Sequence, residues 1–156
     1  MEFEIIRPSK SFLHPQVFLK KIGCKNHHEL NYCSQLIKRA ASNQVRLHIL
    51  ANSSSKQIIA FIAISASELK NSPCITIDYL LTAPPYRGAC FEELGNMKAS
   101  EYLVDYAINL AALVNADIPF RYLALQPAHD KLLPLYSSLG FVPLDKTGWL
   151  FFKVNQ

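Results

Sequence analysis

The stretch Ile77-Asp78-Tyr79-Leu80-Leu81-Thr82-Ala83-Pro84-Pro85-Tyr86-Arg87-Gly88 decides how this chain is read. Its first half is strand-like and mostly apolar, with Asp78 on one face and Tyr79 on the other by the two-residue period of a strand. Its second half is a turn built from two prolines, an arginine and a glycine. A loop then runs to about Met97. The longest helix is expected over Lys98–Asn115, with Ala99, Leu103, Tyr106, Leu110 and Leu113 as its buried stripe. Asp117-Ile118-Pro119 ends that helix, and Arg121–Gln126 alternates as a strand. Strand, long helix and strand in succession imply one parallel crossover.

Upstream, Phe3–Ile6 reads as a short strand stopped by Pro8. Phe12–Ile22 and His27–Ala41 carry apolar residues at helical spacing, the second on Leu30, Cys33, Leu36, Ile37 and Ala40. The period then changes. Val45, Leu47 and Ile49 alternate with Arg46, His48 and Leu50, a strand signal. Asn52–Lys56 is turn chemistry, and Ile58–Ser65 is apolar enough for a central strand, so the two segments form an antiparallel hairpin. Asn71-Ser72-Pro73 breaks the chain before a strand over Cys74–Thr82. Toward the C-terminus, Leu132–Leu139 is a short helix with Pro134 in its first turn and Gly140 as its left-handed stop. Phe141–Leu144 and Trp149–Val154 are the last strands. The order β-α-α-β-β-β-α-β-α-β-β describes a mixed α/β (α+β) domain.

The chain has 156 residues, half of them apolar, and a formal net charge of +4. That suits one domain over 1–156 and excludes a largely disordered protein. No apolar run approaches the ~18–20 residues that span a bilayer. Met1-Glu2-Phe3-Glu4 has no basic segment leading into an apolar one, as a secretory signal would. Cys24, Cys33, Cys74 and Cys90 form no CxxC pair and no zinc-finger spacing. They are expected to be reduced, unligated thiols in a cytoplasmic protein without a metal.

A second motif, Leu135-Tyr136-Ser137-Ser138-Leu139-Gly140-Phe141, follows the first after a helix and a strand. Together the two motifs resemble those of the GNAT superfamily of acyl-CoA-dependent N-acyltransferases. Residue-level similarity runs from about Ile77 to Phe141, and the element order of the whole chain is compatible. The resemblance implies a central, mixed, mostly antiparallel sheet flanked by helices. It also implies acetyl-CoA as cosubstrate, an amine acceptor attacking the thioester directly, and often a homodimer.

In that family the first motif opens the pyrophosphate loop. Here Arg87, Gly88, Gly95, Asn96, Met97, Lys98, Ala99 and Ser100 cover the region. A helix N-terminus suits a pyrophosphate, because its free N–H groups and dipole attract anions. Glycines let the backbone approach closely, and Lys98 adds a mobile positive charge. Counting from Arg87 puts Cys90 and Glu92 at the family's glycine positions. Counting back from Leu103 puts Met97 and Ala99 there, just after Gly95 and Asn96. The second register is preferred, with Arg87–Leu94 as an inserted stretch. A glycine-containing turn with solvated basic residues would read the same way.

The resemblance makes Tyr136 the group that protonates the departing thiolate, since a phenol is a protonated donor at neutral pH. It makes Asp78 the base that takes the ammonium proton, usually through water. A surface tyrosine and a surface aspartate are the plain alternatives. Leu80, Leu81 and Thr82 match the strand end whose backbone pairs with the pantetheine amides, like an added strand. His129 stands where the family often has an asparagine touching the cofactor, although a capping or exposed histidine fits equally. His27-His28 opens the helix that shapes the acceptor pocket in the family, and a surface pair is the simpler reading.

A toxin-type GNAT that acetylates aminoacyl-tRNA is one alternative. Cys24, Leu30, Tyr32 and Ala40, and Ala63-Ile64-Ser65-Ala66, are similar to such toxins. Nucleic acid is expected as a partner only in that case, and a membrane in none. A non-catalytic acyl-CoA-binding domain that keeps the fold is the other.

Overall fold

The computed structural model describes residues 2–8, 15–127, 130–144 and 146–154. In chain order its elements are β1 (Phe3–Ile6), α1 (Pro15–Ile22), α2 (His27–Ala41), β2 (Arg46–Asn52), β3 (Ile58–Leu69) and β4 (Ser72–Thr82). They continue with β5 (Cys90–Phe91), β6 (Met97–Lys98), α3 (Ala99–Asp117), β7 (Tyr122–Leu125), α4 (Leu133–Ser138), β8 (Val142–Pro143) and β9 (Leu150–Lys153). The beginning of the expected first helix, Phe12–His14, lies outside the described residues. One seven-stranded sheet has the order β1-β2-β3-β4-β7-β9-β8, and β5 pairs separately with β6. β4 and β7 run parallel, while β1–β2, β2–β3, β7–β9 and β8–β9 are antiparallel. The mixed, mostly antiparallel sheet with flanking helices is therefore observed. Among the described residues no helix is long and apolar enough to cross a membrane.

The chain divides into two compact units, one of Met1–Ile64 with Tyr79–Val104, the other of Ser65–Asp78 with Asp105–Gln156. In the first unit, Asn26 starts α2: its side-chain oxygen accepts from the N–H groups of His28 (2.8 Å) and Glu29 (3.4 Å). Cys33, Leu36, Ile37 and Ala40 then form the buried face of α2. They join Phe18 and Ile22 of α1 over Leu47, Ile49 and Ala51 of β2 and Phe61 and Ala63 of β3. Fully burying an aliphatic or aromatic side chain of this size is worth roughly 1.5–3 kcal/mol, so this layer supplies much of the unit's stability.

The expected strand forms as β2, and it is buried on both faces. His48 (6% exposed) and Leu50 (1%) are as buried as Leu47 and Ile49. β2 lies between β1 and β3, and both of its faces are covered. The alternation between Leu47 and His48 therefore does not separate core from solvent. The turn after β2 behaves as read: Asn52 accepts from the N–H groups of Ser54 and Ser55 at 2.9 and 3.1 Å.

In the second unit, Lys70 and Asn71 both have positive φ, 48° and 62°, as a two-residue type I′ hairpin turn requires. The strands consequently run up to this turn, and Pro73 lies inside β4 rather than in a break before it. Pro73 lacks an N–H, but its carbonyl accepts from the N–H of Arg121 at 3.1 Å. The buried stripe of α3 is also corrected. It runs through Leu103, Ala107 and Ala111, with Val104 beside it, whereas Leu113 is 71% exposed and Tyr106 and Leu110 are half-buried. Weighting the helix by side-chain bulk rotates the apparent stripe away from the alanines that bury it.

Candidate active site

β4 supplies the first part of the site. Its register with β7 ends at the pair Ile77–Leu125, yet β4 continues to Thr82. Tyr79, Leu81 and Ala83 all pack on the α1–α2 core, so the two-residue period is regular over this segment. The Ala83 N–H donates to the Ile59 carbonyl of β3 at 2.8 Å. Leu80 and Thr82 therefore turn their backbone groups away from β3. The segment beyond Ile77 carries a strand edge whose amides lie outside the pairing with both neighbours. Leu80 and Thr82 present backbone groups to that edge, and by the same alternation the backbone of Leu81 faces β3.

The turn after β4 is one 3₁₀ turn, Pro84–Tyr86, closed by Gly88 at a φ of 77°. A Cβ at Gly88 would meet nothing within 4 Å, so glycine serves the backbone angle rather than space. Arg87 folds back from this turn. Its Nε donates to the Thr82 carbonyl at 2.9 Å and its Nη2 to Glu29 Oε2 at 2.6 Å, with Cys24 Sγ at 4.0 Å. The guanidinium beside Glu29 holds that carboxyl below its usual range. Burial pushes the Cys24 thiol up to about 11 and the Cys33 thiol up to about 12, so both stay protonated and unreactive at neutral pH. Tyr79 lies among these groups and stacks on Tyr32 with centroids 5.2 Å apart and planes 7° from parallel.

The stretch expected as an insertion is a small hairpin. β5 and β6 pair as Cys90–Lys98 and Phe91–Met97 around a 3₁₀ turn at Glu92–Leu94. Gly95 and Asn96 are both left-handed, with φ of 72° and 62°, and β6 leads directly into α3. Gly95, Asn96 and Lys98 are exposed, Met97 and Ser100 half-buried, and Ala99 buried. Exposed backbone before the first turn of a long helix is an arrangement that can hold an anion.

The second motif folds into a complete Schellman cap. The Phe141 N–H donates to the Tyr136 carbonyl (3.0 Å) and the Gly140 N–H to the Ser137 carbonyl (3.1 Å), with Gly140 at a φ of 99°. The apolar contact that accompanies such a cap is the edge-to-face pair of Tyr136 and Phe141, 5.9 Å between centroids. The spacing of Tyr136, Gly140 and Phe141 thus has a local structural cause. Tyr136 is only 6% exposed, and burial raises its phenol pKa further, so it remains a proton donor at neutral pH. Asp78 is half-buried, with Oδ2 out of solvent. A cavity of about 370 Å³ opens between β7 and α4, lined by Gln126, Asp130, Leu133 and Trp149 among others. A larger one, about 570 Å³, lies at the opposite end of β7, by Arg121 and Lys153, so volume alone does not mark the chemistry.

His129 lies outside the described residues. His27 and His28 are both exposed at the start of α2. Glu29 is a partner that the sequence reading did not single out, and Tyr32 entered it only through the similarity to toxins. Asn26-x-x-Glu29 does have capping-box spacing, but Glu29 reaches Arg87 instead of closing the box. Among the described residues no group of three or more His, Cys, Asp or Glu could hold a metal ion.

This order of elements, with β4 and β7 parallel around α3 and the capped α4 after them, is the GNAT fold. Solved structures share it along almost the whole chain. AtaTR bound with AcCoA matches with a TM-score of 0.79 at 18% identity, over 98% of this chain and 94% of that one. AtaT complexed with acetyl-methionyl-tRNAfMet matches at 0.78 and 17%, over 97% and 95%. A Tyr-to-Phe mutant of KacT matches at 0.77 and 13%, over 99% and 96%. At these identities the likeness establishes the fold. No family model matches the sequence, and no curated protein does either.

Proposed function

We propose that the chain is an acetyl-CoA-dependent N-acetyltransferase working as one GNAT unit. The observation that carries this reading is Tyr136, buried and locked by its own helix cap in a fold shared with a protein bound to AcCoA. Acetyl-CoA is here a substrate, and the chain offers groups suited to it. The amides of Leu80 and Thr82 suit the pantetheine arm. The backbone of Gly95–Ser100 at the start of α3, with Lys98, suits the pyrophosphate.

In the proposed reaction an unprotonated amine attacks the thioester carbonyl. A C–N bond forms and the C–S bond breaks. The proton lost by the amine passes to Asp78, directly or through water. Tyr136 donates its phenolic proton to the departing sulfur, which leaves as the CoA thiol. Holding Tyr136 out of solvent keeps that proton in place until the thiolate develops.

A specific observation favours a second, narrower reading of the acceptor. The matched structures include AtaT with acetyl-methionyl-tRNAfMet and an AtaT toxin bound to the C-terminus of the antitoxin AtaR. An aminoacyl-tRNA amine is therefore the first acceptor to test, and the net charge of +4 is compatible with it.

Acetyl-CoA at a hundred times its Kd should stabilise the protein by about 2.7 kcal/mol. Free thiol release with an amine panel that includes methionyl-tRNA should fall about 10²–10⁴-fold in Tyr136→Phe. No stabilisation by millimolar acetyl-CoA would defeat the reading. Full activity in both Tyr136→Phe and Asp78→Asn would defeat the assignment of roles.

A further inference from the structure

Arg87 stands in the Tyr86-Arg87-Gly88 turn, where the likeness to GNAT proteins suggests a phosphate contact. Its geometry describes a different task. One guanidinium joins two elements: Nε holds the Thr82 carbonyl at the end of β4, and Nη2 holds Glu29 in the first turn of α2. One helical turn further on, Tyr32 of α2 stacks on Tyr79 of β4. Both links lie along one side of α2, because positions three apart share a helix face.

We propose that Arg87 is a positioning residue that latches the first turn of α2 to the end of β4. Its charge is neutralised by Glu29 and is not directed at the phosphates of acetyl-CoA. This inference rests on the acetyltransferase reading for its ligand consequences, but the latch is a property of the free protein. Two consequences follow from the bonds. The Thr82 carbonyl already accepts from Arg87, so the groups of the strand edge that remain without this competitor are the Leu80 N–H and carbonyl and the Thr82 N–H. Lys98, exposed beside the first turn of α3, is then the cation assigned to the phosphates.

The test compares acetyl-CoA with S-acetylpantetheine, which shares the thioester and amides but lacks the pyrophosphate. Arg87→Ala and Glu29→Gln should each weaken both ligands by the same factor, about two- to fivefold. Lys98→Ala should weaken acetyl-CoA roughly tenfold and leave S-acetylpantetheine unchanged. If Arg87→Ala weakens acetyl-CoA alone, the latch is wrong. Hydrogen exchange on the ligand-free protein decides the same point independently. Arg87→Ala should speed exchange together in residues 27–33 and 80–83. Acceleration confined to residues 84–91 overturns the proposal. Native protein that binds neither ligand would end the acetyltransferase reading, while the exchange result would still decide the latch.

Discussion

The cap of α4 and the turn after β4 are built on opposite principles. Around Tyr136, every determining contact lies within a few residues. Gly140 supplies the left-handed backbone, two amides close on Ser137 and Tyr136, and Phe141 packs against the tyrosine ring. Around Arg87, the partners come from far along the chain, and Glu29 is separated from it by 58 positions. A local motif can specify where a side chain sits because few backbone conformations satisfy its hydrogen bonds. A long-range ion pair has no such signature. The difference explains why Gly140 is legible in the sequence as the left-handed stop of the helix, while the contacts of Arg87 with Glu29 and Thr82 are not.

Four experiments probe this contrast, ordered by the size of effect expected. Phe141→Ala removes a 2% exposed ring that packs on both Tyr136 and Phe152, and should cost about 3–5 kcal/mol in urea unfolding. A cost below 1 kcal/mol would show that the local cap does not depend on its apolar contact. His48 tests the long-range side. Burial, with a smaller contribution from the positive Arg7, lowers its pKa from 6.5 to about 4. Below pH 6.5 the unfolded chain takes up a proton that the folded chain refuses, so stability falls as pH drops toward about 4. The total is on the order of 3 kcal/mol. His48→Leu should remove that part of the loss between pH 7 and 4.5. An unchanged pH profile in the variant would mean that the histidine is protonated in the fold.

Gly140→Ala should cost about 1–2 kcal/mol, because φ is 99° and the new Cβ would lie 2.9 Å from Phe152. A neutral result would mean that the cap tolerates a right-handed substitute. Glu29→Gln should cost less than about 1 kcal/mol, since the arginine side chain is 43% exposed and water screens the pair. A loss of several kcal/mol would place this ion pair in the core of the unit's stability and erase the contrast with the cap.

Much of the fold is legible from residue patterns. α2 spans His27–Ala41, where its apolar spacing places it, and the parallel crossover of β4, α3 and β7 follows from the element order. The inaccuracies share a cause. At β2, the alternation marks a strand but says nothing of which face is covered, and strands on both sides with cover on both faces bury His48. On α3, leucines and a tyrosine outweigh alanines in the pattern, although Ala107 and Ala111 are the buried positions. Burial depends on what neighbouring elements cover, and a single segment carries no record of that. The hairpin of β5 and β6 was legible only as extra length, because strands of two residues leave no period to detect.

By itself, the sequence determined the longer elements, the crossover and the capped helix that carries Tyr136, since each depends on short-range backbone geometry and side-chain spacing. Tertiary structure alone decided that Arg87 pairs with Glu29 and Thr82, that His48 is buried, and that Leu80 and Thr82 face away from β3. Those outcomes depend on which distant groups meet across the fold, and proximity in space is set by packing rather than by position in the chain.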